Sequence, residues 1–168
     1  MEISNCDLDD LQLIIKLYQE ATAFQKTKNC VAWPEFDVKD ITAAIEQQRQ
    51  FKIVIDQQIA CIWTYTFDDK SIWGERDKND AIYIHKIATN SNFKGQNLVQ
   101  KIVDFSKKYA IANNKTFLRM DTVGENTGLI SHYKKFGFDF LGLIKLENFD
   151  DLPAHYFNAE VSLFEMKI

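Results

Sequence analysis

Residues 81–99, AIYIHKIATNSNFKGQNLV, carry an apolar strand through a turn with one glycine into a helix. AIYIHKIAT (81–89) has the β-branched and aromatic content of a strand. From Asn97 onward, Leu98, Ile102, Phe105 and Tyr109 fall on one helical stripe. A glycine turn that feeds a helix start gathers unpaired backbone N–H groups at the positive end of the helix dipole, an arrangement suited to a pyrophosphate. Lys94 adds a full positive charge beside Gly95, and Asn97 with Gln100 three residues on predicts a capping box. The glycine spacing is neither that of a dinucleotide fingerprint nor that of a P-loop, which argues against NAD and ATP.

Downstream, TFLRMD (116–121) reads as a strand and residues 126–136 as a helix, with Gly137 suited to the left-handed position that ends it. Asn126 and Tyr133 are two helical turns apart, so they share a face at a separation of roughly 10 Å. Taken alone, this pair reads as a helix cap and an amphipathic core residue. Two further strands are predicted, FDFLGLI (138–144) and YFNAEVSLFEM (156–166).

Upstream, Leu8, Leu11, Ile14, Ile15, Leu17, Tyr18, Ala21 and Phe24 recur at helical spacing behind a capping Asp7, predicting a helix to about Lys28. Pro34 interrupts that pattern, and Asp37 caps a second helix through Ile41, Ala44 and Ile45. FKIVID and IACIWTYTF form a predicted hairpin about Gln57 and Gln58, followed by a charged connection, DDKSIWGERDKND (68–80).

A chain of 168 residues with ordinary apolar content and few Gly and Pro is the size of one folded domain. The acidic start, residues 1–10, has neither a basic region nor an apolar run, and no segment approaches a membrane span. Cys6, Cys30 and Cys61 are odd in number and widely spaced, which predicts reduced thiols in a cytoplasmic setting and no metal site. A net charge of −4 disfavours a nucleic-acid partner and mildly favours a cationic one.

Together, the strand–turn–helix unit and the later Asn…Tyr…Gly-Phe unit resemble the GNAT N-acetyltransferase superfamily over about residues 81–142, and the order of elements agrees along the rest of the chain. The resemblance implies one domain over residues 1–168, an α/β (α+β) fold with a mixed, mostly antiparallel sheet of six to seven strands, and helices on both faces. It also implies acetyl-CoA as cofactor and a small-molecule or protein amine as acceptor, with no membrane partner, in a monomer or homodimer. Lys94 takes the Gln/Arg position of the family's phosphate loop, while Asn97 and Val99 stand where the family prefers Gly and then Gly or Ala. Asn tolerates a left-handed backbone; the branched Val99 narrows the approach of a pyrophosphate.

By the same resemblance, Ile87, Ala88 and Thr89 on a bulged strand hold the pantetheine arm, and Lys94, Gly95, Gln96, Asn97, Leu98 and Val99 surround the phosphates. Asn126 contacts the cofactor arm, and Tyr133 is the general acid, since a phenol holds its proton at neutral pH. The amine attacks directly, so no metal is required. His85 is the first choice of general base, with Asp121 and Glu125 as alternatives; the neighbouring His132 points about 100° away from Tyr133 on the helix. Trp33, Phe36, Trp73 and His155 lie in regions that border the family's acceptor pocket. A second class of function, a module that holds acyl-CoA without turnover, shares the fold and is motivated by Asn97 and Val99.

Overall fold

Three of the predicted caps start helical segments. Asp7 accepts from the Asp9 N–H at 3.0 Å while Asp10 accepts from the Asp7 N–H at 2.9 Å, Asp37 accepts from Lys39 N–H at 2.9 Å, and Asn126 accepts from Leu129 N–H at 3.0 Å. Each bond satisfies an N–H that a helix start leaves without an acceptor. In the computed structural model, which describes residues 1–28, 30–146 and 152–168, the helices are α1 (Leu11–Thr27), α2 (Val38–Glu46), α3 (Lys70–Trp73), α4 (Leu98–Ala112) and α5 (Thr127–Lys135). Asp7 caps a short 3-10 turn, Leu8–Asp10, that runs on into α1. The short α3 lies within the charged stretch expected to be a loop.

The strands are β1 (Glu2–Asn5), β2 (Gln50–Ile55), β3 (Gln58–Thr66), β4 (Ala81–Thr89), β5 (Phe117–Val123), β6 (Asp139–Lys145) and β7 (Glu160–Lys167). They form a seven-stranded mixed sheet in the order β1-β2-β3-β4-β5-β7-β6. β1–β2, β2–β3, β5–β7 and β6–β7 are antiparallel, and β4–β5 is parallel over Ala81–Tyr83 and Phe117–Arg119. β1 was not anticipated: four residues of mixed polarity give no periodic signal, and their hydrogen bonds go to a strand remote in sequence. The β2–β3 turn is Asp56–Gln57, one residue earlier than expected, with both residues left-handed at φ 48° and 61°, the geometry whose twist matches a two-residue hairpin.

Contacts divide the chain into two compact units, Met1–Tyr65 with Ile84–Leu98, and Thr66–Tyr83 with Val99–Ile168. The first is organised around Ile14, Leu17, Tyr18, Ile41, Ile45, Ile59 and Ile62. In the second, Trp73, Tyr83, Val161 and Leu163 pack together. Each fully buried aliphatic side chain contributes on the order of 2 kcal/mol. All three cysteines are free, and burial pushes Cys6 up to about 12 and Cys61 up to about 11, so both remain thiols. No described helix is long and apolar enough to cross a membrane.

Candidate active site

In the first unit, β4 leads into the loop singled out by its glycine. Lys86, in the middle of the strand, has φ 54°, a left-handed residue that interrupts the pleat as a bulge does. Ile87 and Thr89 are half-buried and Ala88 is buried, with the Thr89 hydroxyl 3.4 Å from Cys61 Sγ. Asn90 then braces the turn, donating to the Ile59 carbonyl at 3.0 Å and accepting from Asn92 N–H at 3.1 Å. Lys94, Gly95, Gln96 and Asn97 are exposed, whereas Leu98 is buried at the start of α4 and Val99 is half-buried. Lys94 holds its ammonium 4.2 Å from the centre of the Phe24 ring.

Gly95 has φ 81° and Asn97 has φ 57°. The second value accounts for the family's preference for glycine at that position and for the tolerance of asparagine there. The predicted capping box is not formed: Gln100 donates forward to Asp104 Oδ1 at 2.8 Å, and Asn97 is left-handed rather than extended.

The structure brings Trp33 and Phe36 together in the same unit, their ring centres 5.6 Å apart, with buried Tyr18 4.6 Å from Phe36. Over the Phe36 ring sits Lys86 Nζ, at 5.1 Å. Desolvation lowers the Lys86 pKa, with Asp40 opposing and Arg49 adding to the shift. His85, half-buried, has its carbonyl 3.4 Å from the Thr64 hydroxyl. Burial first, then the charges of Lys86 and Arg49, bring its imidazole down to about 4. His85 is therefore neutral at pH 7 and a weak base.

In the second unit, Asn126 caps α5 and Tyr133 is 9% exposed, its ring 5.1 Å from that of Phe164 and 6.3 Å from that of Phe138. The helix ends as predicted at Gly137, φ 93°, with Phe138 N–H donating to the Tyr133 carbonyl and Gly137 N–H to the Lys134 carbonyl. Trp73 is 3% exposed and packs against Tyr83, with the Arg119 guanidinium 5.0 Å from its ring centre. The ring read as a border of the acceptor pocket thus belongs to a core. His155, half-buried in a 3-10 turn, has its ring 4.4 Å from that of Tyr156 and tilted 44° to it.

Tyr156 donates to Asp121 Oδ2 at 2.8 Å, and carboxylate oxygens of Asp121 and Asp69 lie within 4.8 Å of one another. Burial pushes Asp121 up to about 6 against the opposing hydrogen bond from Tyr156. Asp69 is pushed up to about 8 by burial and then by the charge of Asp121. Sequence reasoning missed Asp69, which sits in a charged stretch that reads as solvated loop. The alternative base Glu125 is exposed.

The YesJ N-acetyltransferase of Bacillus subtilis (strain 168), itself uncharacterised, is 27% identical over 135 residues, covering 75% of this chain and 69% of its own. A GNAT-family acetyltransferase structure from Listeria monocytogenes superimposes with a TM-score of 0.80 at 20% identity, over 99% of this chain and 94% of that one. The structure of yncA from Salmonella typhimurium, solved with its cofactor acetyl-CoA, gives a TM-score of 0.70 at 13% identity over 99% and 92%. The sequence model of the Acetyltransferase (GNAT) family matches residues 14–138, and on that match across most of its length the chain belongs to this family.

Proposed function

We propose that the protein is an acetyl-CoA-dependent N-acetyltransferase acting from one domain, in which an amine attacks the thioester directly. The observation that carries this reading is the left-handed Asn97, following Gly95 and immediately preceding α4, at the position where the family places glycine. The residues present suit a diphosphate. A Cβ added at Gly95 would meet nothing within 4 Å, Lys94 brings positive charge, and helix geometry leaves the first N–H groups of α4 without intrahelical acceptors. When bound, acetyl-CoA supplies an acyl group activated as a thioester. Main-chain groups of Ile87, Ala88 and Thr89 hold the arm, and Asn126 is its contact on α5.

Tyr133 gives its phenolic proton to the departing sulfur. Its ring is fixed by Phe138 and Phe164, which limits the positions its hydroxyl can take. Asp121 is a better proton acceptor than His85. A carboxyl near 6 is mostly ionised at pH 7 and holds a proton more firmly than a base near 4. His85, kept neutral, is left to accept or donate a hydrogen bond to the amine.

The test is calorimetry with acetyl-CoA followed by release of free thiol against a panel of amines. Binding together with amine-dependent thiol release is expected. Binding with no release from any amine would leave the non-catalytic module as the better reading.

A further inference from the structure

Asp69 and Asp121, both in the second unit, have carboxylate oxygens within 4.8 Å of one another. Directly across the antiparallel β5–β7 ladder from Asp121 is the buried Leu163, so one flank of the carboxylate is apolar. Arg119, two residues earlier on the same face of β5, is engaged by Asp80 at 3.0 Å and by Glu165 at 2.8 Å. Two carboxylates this close in apolar surroundings resist ionising together, and one of them keeps its proton. A hydrogen bond marks the one that gives it up. Tyr156 donates to Asp121 Oδ2 at 2.8 Å, and such a bond favours the charged form of the acceptor.

We propose that Tyr156 is a positioning residue of the reaction: by donating to Asp121 it assigns the negative charge of the Asp69–Asp121 pair to Asp121, the carboxylate that takes the proton of the attacking amine. This rests on the N-acetyltransferase reading. As the N–C bond forms and the C–S bond breaks, the nitrogen's proton passes to Asp121 and the departing sulfur takes one from Tyr133. Tyr156 is held in place for its part. Its N–H donates to the Pro153 carbonyl at 3.0 Å, its carbonyl accepts from the Ala159 N–H at 3.1 Å, and its ring packs on the cluster that contains Trp73, Val161 and Leu163. Burial, then the charge of Asp121, push its own pKa up, so it stays a donor at every pH at which the pair titrates. The proton affinities follow the bond, with Asp121 at about 6 and Asp69 at about 8. Asp77 and Asp68 add to the rise of Asp69 and the Ile72 backbone opposes it; His85, down at about 4, carries no charge in that range.

The experiment follows kcat/KM against pH for the parent and for Tyr156→Phe, which keeps the ring and removes only the donor. The rising limb near 6 should move up by about one unit, so that kcat/KM falls about fivefold at pH 6 and much less above pH 8. A limb that stays where the parent has it, or a loss equal at every pH, makes Tyr156 a packing residue only and overturns the inference.

A readout without turnover separates this inference from the reading on which it rests. Carboxyl-carbon NMR shifts are titrated, the two signals being assigned by their loss in Asp121→Asn and Asp69→Asn. Asp121 should titrate below Asp69 in the parent and about one unit higher in Tyr156→Phe. That result with no thiol release from any amine would remove the enzymatic reading and keep Tyr156 as the residue that places the charge. Asp69 titrating below Asp121 in the parent, or Asp121 unmoved in Tyr156→Phe, overturns the assignment.

Discussion

Replacing Asp69 by Asn probes the buried carboxyl pair directly. The Asp69 carboxyl is pushed from 3.8 up to about 8, by burial first and then by the charge of Asp121. Between those values the folded protein keeps a proton that the unfolded chain has released. Unfolding therefore releases protons, and stability falls as pH rises from about 4 to about 8. From pH 5 to pH 8, three units at about 1.36 kcal/mol each set a ceiling of about 4 kcal/mol. Relaxation and water entry around a buried charge reduce such figures, so a loss of about 2 kcal/mol is expected from this group. Asn has nearly the same shape and cannot ionise, so its stability lacks that slope. Urea unfolding of parent and variant at both pH values reads the difference between them. The gap in favour of Asp69→Asn should widen by about 2 kcal/mol from pH 5 to pH 8. Parallel curves for the two proteins would refute the claim that this carboxyl is desolvated beside Asp121.

Tyr133→Phe keeps the ring contacts with Phe138 and Phe164, so it should lower turnover by roughly 100-fold or more while acetyl-CoA Kd changes less than about threefold; equal turnover in mutant and parent would remove Tyr133 as the acid. The kcat/KM profile should rise with pH through about 6 as Asp121 ionises, and Asp121→Asn should lose that limb. Loss of the limb in His85→Gln instead would transfer the role of base to His85. Gly95→Ala should destabilise the fold by about 1–2 kcal/mol in chemical denaturation, from φ 81° alone, because the added Cβ meets nothing within 4 Å. A variant as stable as the parent would mean that the loop relaxes out of its left-handed turn.

The order of elements was legible because its signals are local. Asp7, Asp37 and Asn126 announce helix starts through bonds that span two or three residues, and Gly137 ends α5 through bonds back to the turn before it. The phosphate-loop reading has the same origin, since Gly95 and Asn97 declare a left-handed backbone by their own chemistry. Tertiary structure decided what depends on remote partners. It made a strand of Glu2–Asn5 by pairing it with β2, drew Trp73 into a core against Tyr83, and gathered Tyr18, Trp33 and Phe36 under the Lys86 ammonium. It also set the proton affinities: desolvation moves His85 down and Asp69 and Asp121 up, and the water a side chain loses depends on neighbours from distant parts of the chain.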